Sequence, residues 1–245
     1  MSLTSFKCSN NLSSAPNVKA NKANESKKVD ASIIKQDIEN YITNKLIPKY
    51  FEGREFSLKM NKWQQELLDD LEKYCISKYS NYKFYFWCAI YERKNFAFNS
   101  NDKVHFYNET DIKISLYKES TNVGVDIGGI GIKNLNLTHK GSINDFKSEI
   151  WNKIESIIEK IFEGRTISPW DNGSKFINYI LDEVLEYVKS KDKILYYYVV
   201  GTMLKKGTNH FITERFFNQT SNYGTVFLNY EINSVQCNIH VFSCI

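Results

Sequence analysis

Apolar residues recur at helical spacing in four segments of the chain, and the four segments predict two pairs of helices. Pro48 follows the first stripe and is expected to end that helix, because proline cannot donate a backbone hydrogen bond. Ser142 and Asp145 fit a capping box before the third helix, and the run 168–171 fits the start of the fourth. The stripes are Ile34, Ile38, Tyr41 and Ile42; Trp63, Leu67, Leu68, Leu71, Tyr74 and Cys75; Ile150, Ile154, Ile157, Ile158 and Ile161; and Phe176, Ile180, Val184, Tyr187 and Val188.

Each pair of helices is followed by four segments rich in aromatic and β-branched residues, separated by Asn, Gly, Lys or Asp. Such segments are typical of strands. The predicted strands are Phe84–Arg93, Phe96–Tyr107, Asp111–Glu119 and Val123–Ile132 in the first half, and Ile194–Lys205, Asn209–Asn218, Gly224–Tyr230 and Ser234–Ile245 in the second. The order predicts an α+β fold of two α-α-β-β-β-β units, each with two helices on one face of an antiparallel sheet.

The two halves are copies of one another in sequence. Phe51-Glu52-Gly53-Arg54 recurs as Phe162-Glu163-Gly164-Arg165, and a serine follows each motif at the same distance. The helical run 67–71 matches 180–184, and the run 106–110 matches 216–220. Three matches in the same order indicate a tandem duplication. We therefore expect a first domain over residues 31–137 and a second over residues 138–245.

Composition and charge narrow the possible functions. The chain has 245 residues and a net charge of +4, and residues 1–30 carry five lysines against Glu25 and Asp30. That polar segment is predicted to be a disordered basic tail, since it has too few apolar residues to offset the entropy of ordering. The rest is nearly neutral, which argues against nucleic acid as a partner. The longest apolar run, Phe84–Tyr91, is too short to cross a membrane.

No set of residues predicts catalysis, a cofactor or a metal. The five cysteines have no metal-ligand spacing and are interpreted as reduced, mostly buried thiols. The glycines of the run 123–132 do not fit a phosphate-binding loop and are interpreted as places where a strand passes close to helix backbones. Adjacent acids recur in both copies, as Asp69-Asp70 and Asp182-Glu183, and are interpreted as the solvated edge of a helix.

The repeat unit resembles the Tctex1-type dynein light chain family over nearly all of residues 32–245. The order that carries the resemblance is a helix, a strand that ends in a basic turn, an aromatic strand that leads into an Asn or Asp turn, and an apolar closing strand. In the second copy these are the runs 180–188, 195–207, 216–231 and 238–245; in the first they are 67–74, 84–95, 105–111 and 123–132. The first copy departs from the pattern at Asn95, where the second has Gly207 in the basic turn.

The resemblance implies a non-catalytic dynein-associated subunit of the cytoplasm and cytoskeleton, in a cilium or axoneme. Family members dimerise by exchanging a strand, so the fused copies are expected to form an intramolecular pseudo-dimer. The implied partner is a dynein intermediate chain or another dynein or axonemal subunit, and possibly a second light chain, without nucleic acid or membrane. An extended partner segment would add to a sheet edge, and two edges would give avidity. The implied partner-binding residues are Phe96, Phe98, Val104, Phe106, Phe211, Thr213, Glu214 and Phe216. In the second candidate strand, Asn209–Asn218, we expect Phe211, Thr213 and Phe216 on one face, with Glu214 and Arg215 facing away.

Two alternatives stay open. A fused double-hotdog enzyme acting on acyl thioesters has similar repeats, but it needs a His, Asp or Glu facing the sheet near the start of the central helix, where Trp63 and Phe176 stand. An architectural ciliary protein without dynein contact would share the fold. A second interpretation of the candidate site also stays open. The aromatic residues of the two candidate strands would then only seal the contact between the copies, without any peptide groove.

Overall fold

The computed structural model describes residues 31–93, 98–105, 108–120, 122–133, 143–165, 172–193, 195–217 and 223–244. The predicted tail 1–30, Ser142 and the predicted helix start 168–171 lie outside these residues. The helices are α1 (31–51), α2 (Lys59–Lys78), α3 (Lys147–Phe162) and α4 (Gly173–Lys191). The strands are β1 (Tyr82–Glu92), β2 (Phe98–His105), β3 (Ile112–Glu119), β4 (Val123–Lys133), β5 (Tyr196–Lys205), β6 (His210–Phe217), β7 (Tyr223–Ile232) and β8 (Val235–Cys244). The predicted α+β class and all eight predicted strands are confirmed.

The strands form two antiparallel sheets that exchange one strand between the halves of the chain. Sheet A has the order β3-β4-β1-β6, and sheet B has the order β2-β5-β8-β7. In sheet A, Phe84 of β1 pairs with Phe217 of β6; in sheet B, Phe98 of β2 pairs with Leu204 of β5. Each sheet therefore takes three strands from one half and its last strand from the other. The exchange makes the two copies an intramolecular pseudo-dimer.

Three apolar layers hold the sandwich together. The first packs α1 and α2 against the outer face of sheet A, and the second packs α3 and α4 against the outer face of sheet B. The third lies between the sheets and contains Tyr85, Trp87, Tyr198 and Phe242, with the Tyr85 and Phe242 rings stacked 4.0 Å apart. Because both faces of each sheet are covered, the central strands β1, β5 and β8 are buried along almost their whole length.

Pro48 does not end the first helix. A π-helical turn spans Ile42–Leu46, and the N–H of Ile47 bonds to the carbonyl of Ile42. A new α-helical stretch, Ile47–Phe51, starts there and holds Pro48 in its first turn, where a missing N–H has no intrahelical partner to lose. The wider turn therefore carries the chain past the proline, and Tyr50 and Phe51 join the core.

The repeated Phe-Glu-Gly-Arg motif makes the same turn after α1 and after α3. The N–H of Arg54 bonds to the carbonyl of Phe51 at 3.3 Å, and Gly53 has φ +66°. In the second copy Arg165 bonds to Phe162 at 3.1 Å, and Gly164 has φ +64°. A positive φ at the third position of such a turn favours glycine, which explains why the motif has one.

The interpretation of the glycines in β4 as helix contacts is wrong. A side chain at Gly124 would overlap the ring of Tyr91, and one at Gly128 would overlap Trp87 and Tyr198. Gly131 likewise faces Phe84. The glycines of β4 therefore make room for the large aromatic side chains of the neighbouring strand β1 and of the opposite sheet.

Candidate functional site

The candidate site consists of the exchanged strands β2 and β6 and their outer edges. Two matching ion pairs on the outer faces of the sheets hold these strands against the helices. Arg215 of β6 pairs with Asp69 of α2, and Lys103 of β2 pairs with Asp182 of α4 at 2.8 Å. The strand and helix positions correspond between the copies. The acids Asp69 and Asp182 lie on the solvated edges of their helices, as predicted, with side chains 47% and 60% exposed, and they also anchor the exchanged strands.

Gln64 is a second anchor, and of the two exchanged strands it contacts β6 and not β2. This side chain of α2 is fully buried, and its amide N–H groups donate to the carbonyls of Cys88 in β1 and Phe211 in β6. The hydroxyl of Thr213 donates to its amide oxygen at 3.1 Å. The sequence analysis missed this residue, although Gln64 lies one turn before Leu67 and Leu68 and thus on the same helix face.

On the inner faces, each exchanged strand carries a carboxylate into the contact between the sheets, and Asp102 is buried whereas Glu214 is partly exposed. The Asp102 carboxylate of β2 accepts a hydrogen bond from the Tyr198 hydroxyl at 2.7 Å. The Glu214 carboxylate of β6 accepts one from the Tyr85 hydroxyl. Tyr85 and Tyr198 occupy matching positions on the central strands, so the two arrangements are related by the pseudo-symmetry of the halves.

The two carboxylates have different partners from the opposite sheet. Lys113 of β3 lies 2.5 Å from Asp102, and His240 of β8 lies 3.2 Å from Glu214. Burial by itself raises the pKa of Glu214, but hydrogen bonds and charge from His240, with hydrogen bonds from Tyr85 and Thr225, hold that pKa below its usual value. Each exchanged strand is therefore joined to both sheets.

Most of the predicted partner-binding side chains already have contacts within the chain. Phe211 stacks on Phe56 with ring centroids 5.6 Å apart, and Thr213 accepts a hydrogen bond from Gln65 at 2.9 Å. Phe216 is 6% exposed and packs against Phe242 at 5.1 Å. Val104 packs in the layer between the sheets. Phe96, Phe106 and the side chain of Phe98 lie outside the described residues.

The predicted alternation along β6 is partly wrong. Phe211, Thr213 and Phe216 were expected on one face, with Glu214 and Arg215 turned away. Successive residues of a strand alternate without interruption, and β6 has no bulge in its pairing with β1. Phe211, Thr213 and Arg215 therefore face α2, whereas Glu214 and Phe216 face sheet B.

No described strand pairs with the outer edge of β6. Glu92 donates to the carbonyl of Asn209 at 2.9 Å, which fixes the odd-numbered residues of β6 as those that hydrogen-bond to β1. The N–H and C=O groups of Ile212, Glu214 and Phe216 consequently point away from the sheet. Among the residues that the structure describes, no group hydrogen-bonds to them. This edge can accept another strand.

The matching edge of β2 is partly closed. Lys206 donates to the carbonyl of Ser234, which by alternation turns the even-numbered residues of β2 outward. In the middle of this outward edge, the N–H of Asp102 donates to the side chain of Asn101 at 2.8 Å. The carbonyl of Asp102 accepts a hydrogen bond from Lys113 at 3.4 Å. The two edges are therefore not equivalent as docking sites.

Side chains of two kinds flank the open edge of β6. On the inner side, Phe227 of β7 is 40% exposed and lies 4.2 Å from the His240 ring. On the outer side, a shallow cavity runs along α2 and is lined by Asp69, Glu72, Lys73, Ile76 and Ser77. A strand added here would direct alternate side chains toward an aromatic surface and toward a charged one.

The described residues include neither a cluster of metal ligands nor an exposed thiol. No three His, Cys, Asp or Glu side chains come together there as metal ligands would. The thiols of Cys75, Cys88, Cys237 and Cys244 are buried, and burial raises the pKa of Cys88 and of Cys237 to about 12. No described helix is long and apolar enough to cross a membrane.

The chain was compared with models of known protein families and with curated protein sequences. Neither comparison gives a significant match, so the resemblance found in the sequence rests on the residue pattern that carries it.

Proposed function

We propose that this chain is a non-catalytic, dynein-associated light-chain-like subunit. It binds an extended segment of a dynein intermediate chain, or of another axonemal or cytoskeletal protein, by strand addition. The observation that carries the proposal is the outward row of backbone groups on β6, at Ile212, Glu214 and Phe216. Backbone hydrogen bonds supply affinity in such complexes, and flanking side chains supply selectivity.

The proposal assigns the partner to β6 and not to β2. At β2 an added strand would have to displace the Asn101 and Lys113 side chains from the Asp102 backbone. That displacement costs hydrogen bonds before any new one forms. One chain therefore takes up one partner segment, and the second edge gives no avidity.

The test uses synthetic peptides that tile the dynein intermediate chains of the source organism, with binding measured by calorimetry. Ile212→Pro removes one outward N–H and puts a ring on the open edge, and edge strands tolerate proline. We expect about a tenfold or greater loss of affinity, the equivalent of one to two hydrogen bonds. Ile212→Ala is the matched control, because it loses the same side chain but keeps the N–H.

Thr213→Pro would be a poor test, because the N–H of Thr213 points toward β1 and its loss would destabilise sheet A. If no intermediate-chain peptide binds, the dynein assignment is wrong. If a peptide binds equally well to folded Ile212→Pro and Ile212→Ala proteins, the partner lies elsewhere. A stoichiometry of two peptides per chain would contradict the closed edge at β2.

The hotdog-enzyme alternative meets an obstacle at the position where it needs an acid. The residue of α2 that faces the sheet near the start of the helix is Gln64, and contacts with Cys88, Phe211 and Thr213 use both ends of its amide. Turnover of acyl-CoA by the purified chain would restore that alternative.

A further inference from the structure

A cavity of about 510 Å³ lies between the end of α3 and the first turns of α4. Three cationic side chains line it, Lys160, Arg165 and Lys175. The rest of its described lining consists of Ile161, Asn172, Phe176 and Tyr179. No carboxylate is among these residues. The volume falls in the range of sites that hold small organic ligands.

The three cations have no partner among the residues that the structure describes. Two lysines at the other end of α4 are paired, Lys191 with Glu149 and Lys189 with Glu186. Three positive charges that converge without an anion repel one another and attract one from solution. Phe176 is half-buried in the wall, and Tyr179 is 49% exposed.

The first copy provides an internal comparison, because it has a cation at each of the three matching positions. Lys49 corresponds to Lys160 and pairs with Asp70 at 2.6 Å. Arg54 corresponds to Arg165 and stacks on the Trp63 ring at 4.0 Å.

Lys62 corresponds to Lys175 and pairs with Glu66 at 3.6 Å, one turn along α2. In the second copy Tyr179 stands where Glu66 stands in the first. The first copy thus gives each of these cations a partner within the chain, whereas in the second none of the three has a partner among the described residues and all three line a cavity with an aromatic wall.

We infer that this cavity binds a small phosphorylated ligand with an aromatic ring, that is, a nucleotide. Phosphate oxygens form strong charge-assisted hydrogen bonds with guanidinium and ammonium groups. A base ring packs well on phenylalanine and tyrosine side chains. A carboxylate-rich peptide would match the charge but would leave the aromatic wall unused.

The test is calorimetric titration of the full chain with ATP, inorganic pyrophosphate and hexaglutamate. We expect ATP to bind with a Kd of about 100 µM or tighter, and pyrophosphate to bind at least about tenfold more weakly, since it has no ring. Arg165→Gln and Tyr179→Glu should each weaken ATP binding about tenfold or more. Tyr179→Glu is the sharper variant, because it restores the Lys62–Glu66 arrangement of the first copy at Lys175.

Lys62→Gln is the matched control and should leave ATP affinity unchanged. The substituted side chains are exposed, and thermal melting checks that each variant is folded. Absence of ATP binding at 1 mM, about tenfold above the expected Kd, would overturn the inference. So would equal affinity for pyrophosphate and ATP, or full ATP affinity in folded Tyr179→Glu protein. Tighter binding of hexaglutamate than of ATP would reassign the cavity to an acidic peptide.

Discussion

Asp126 should make the stability of the protein fall as the pH rises. Its carboxyl group lies in the contact between the sheets, is 4% exposed and accepts a hydrogen bond from Ser100. Burial, with a smaller effect of the nearby Asp102 charge, raises its pKa to about 7, although the Ser100 hydrogen bond acts in the opposite direction. The perturbation that tests this is Asp126→Asn. The matching position in the second copy is already an asparagine, Asn238, which bonds to Thr202 at 3.1 Å.

The magnitude follows from the difference between the folded and unfolded pKa values. Asp126 has a pKa of about 7 in the folded chain and 3.8 in the reference state. Between these values the folded state keeps a proton that the unfolded state releases, so raising the pH favours unfolding. The favourable contribution of the buried Asp126 to the free energy of unfolding is fully present below about pH 4 and is lost by about pH 7. Three pKa units correspond to about 4 kcal/mol.

The assay is urea denaturation of both proteins between pH 4 and pH 8.5. Asparagine stays neutral, so the variant should gain stability relative to the native chain as the pH rises, by up to about 4 kcal/mol at pH 8. Asp111, whose burial raises its pKa to about 6, and Glu214 contribute to both curves and cancel in the difference. Asp182→Asn, at an exposed ion pair, should change stability by less than about 1 kcal/mol at any pH. A difference curve for Asp126→Asn that stays flat from pH 4 to 7 would refute the reasoning.

Three further predictions concern packing. Leu68→Ala and Leu181→Ala remove fully buried side chains at matching positions, and each should cost about 2–5 kcal/mol in urea denaturation; a cost below about 1 kcal/mol would contradict the core assignment. Gly128→Ala should lower the free energy of unfolding by about 1–3 kcal/mol in urea denaturation, because the added methyl overlaps Trp87 and Tyr198. An unchanged midpoint would show that these rings can move. Residues 138–245 alone should be insoluble or dimeric in ultracentrifugation, because β6 would lack β1 and sheet B would expose its inner aromatics; a stable monomer would contradict this.

The helices and strands could be predicted because their signals are local. A stripe such as Leu67, Leu68, Leu71 and Cys75 fixes a helix face, and all four side chains are buried. The same periodicity cannot show that a π-helical turn lets α1 continue past Pro48. The sequence match of the runs 106–110 and 216–220 is also two residues off, since the pairing of the strands makes Val104, and not Phe106, the counterpart of Phe216.

The contacts that define the candidate site could not be predicted from local pattern. Alternation tells which face of β6 is apolar but not which strand lies beside it, and the exchange was implied only by the family resemblance. The pairing of Arg215 with Asp69 joins residues far apart in sequence, so no helix pattern shows that this exposed aspartate has a partner on β6. The difference between the edges of β2 and β6 depends on single side chains, Asn101 and Lys113, whose reach only coordinates show.

The strand exchange has a consequence for how the protein is made. During synthesis β1 emerges long before its neighbour β6, and it contains Phe84–Tyr91, the longest apolar run of the chain. Sheet A cannot be completed until the chain as far as Phe217 has left the ribosome. Pairings between such distant segments fold slowly, and an unpaired apolar strand is prone to aggregate while it waits. The nascent chain therefore needs a chaperone over this strand, and its yield should depend more on chaperone supply than that of a protein whose sheets close in order.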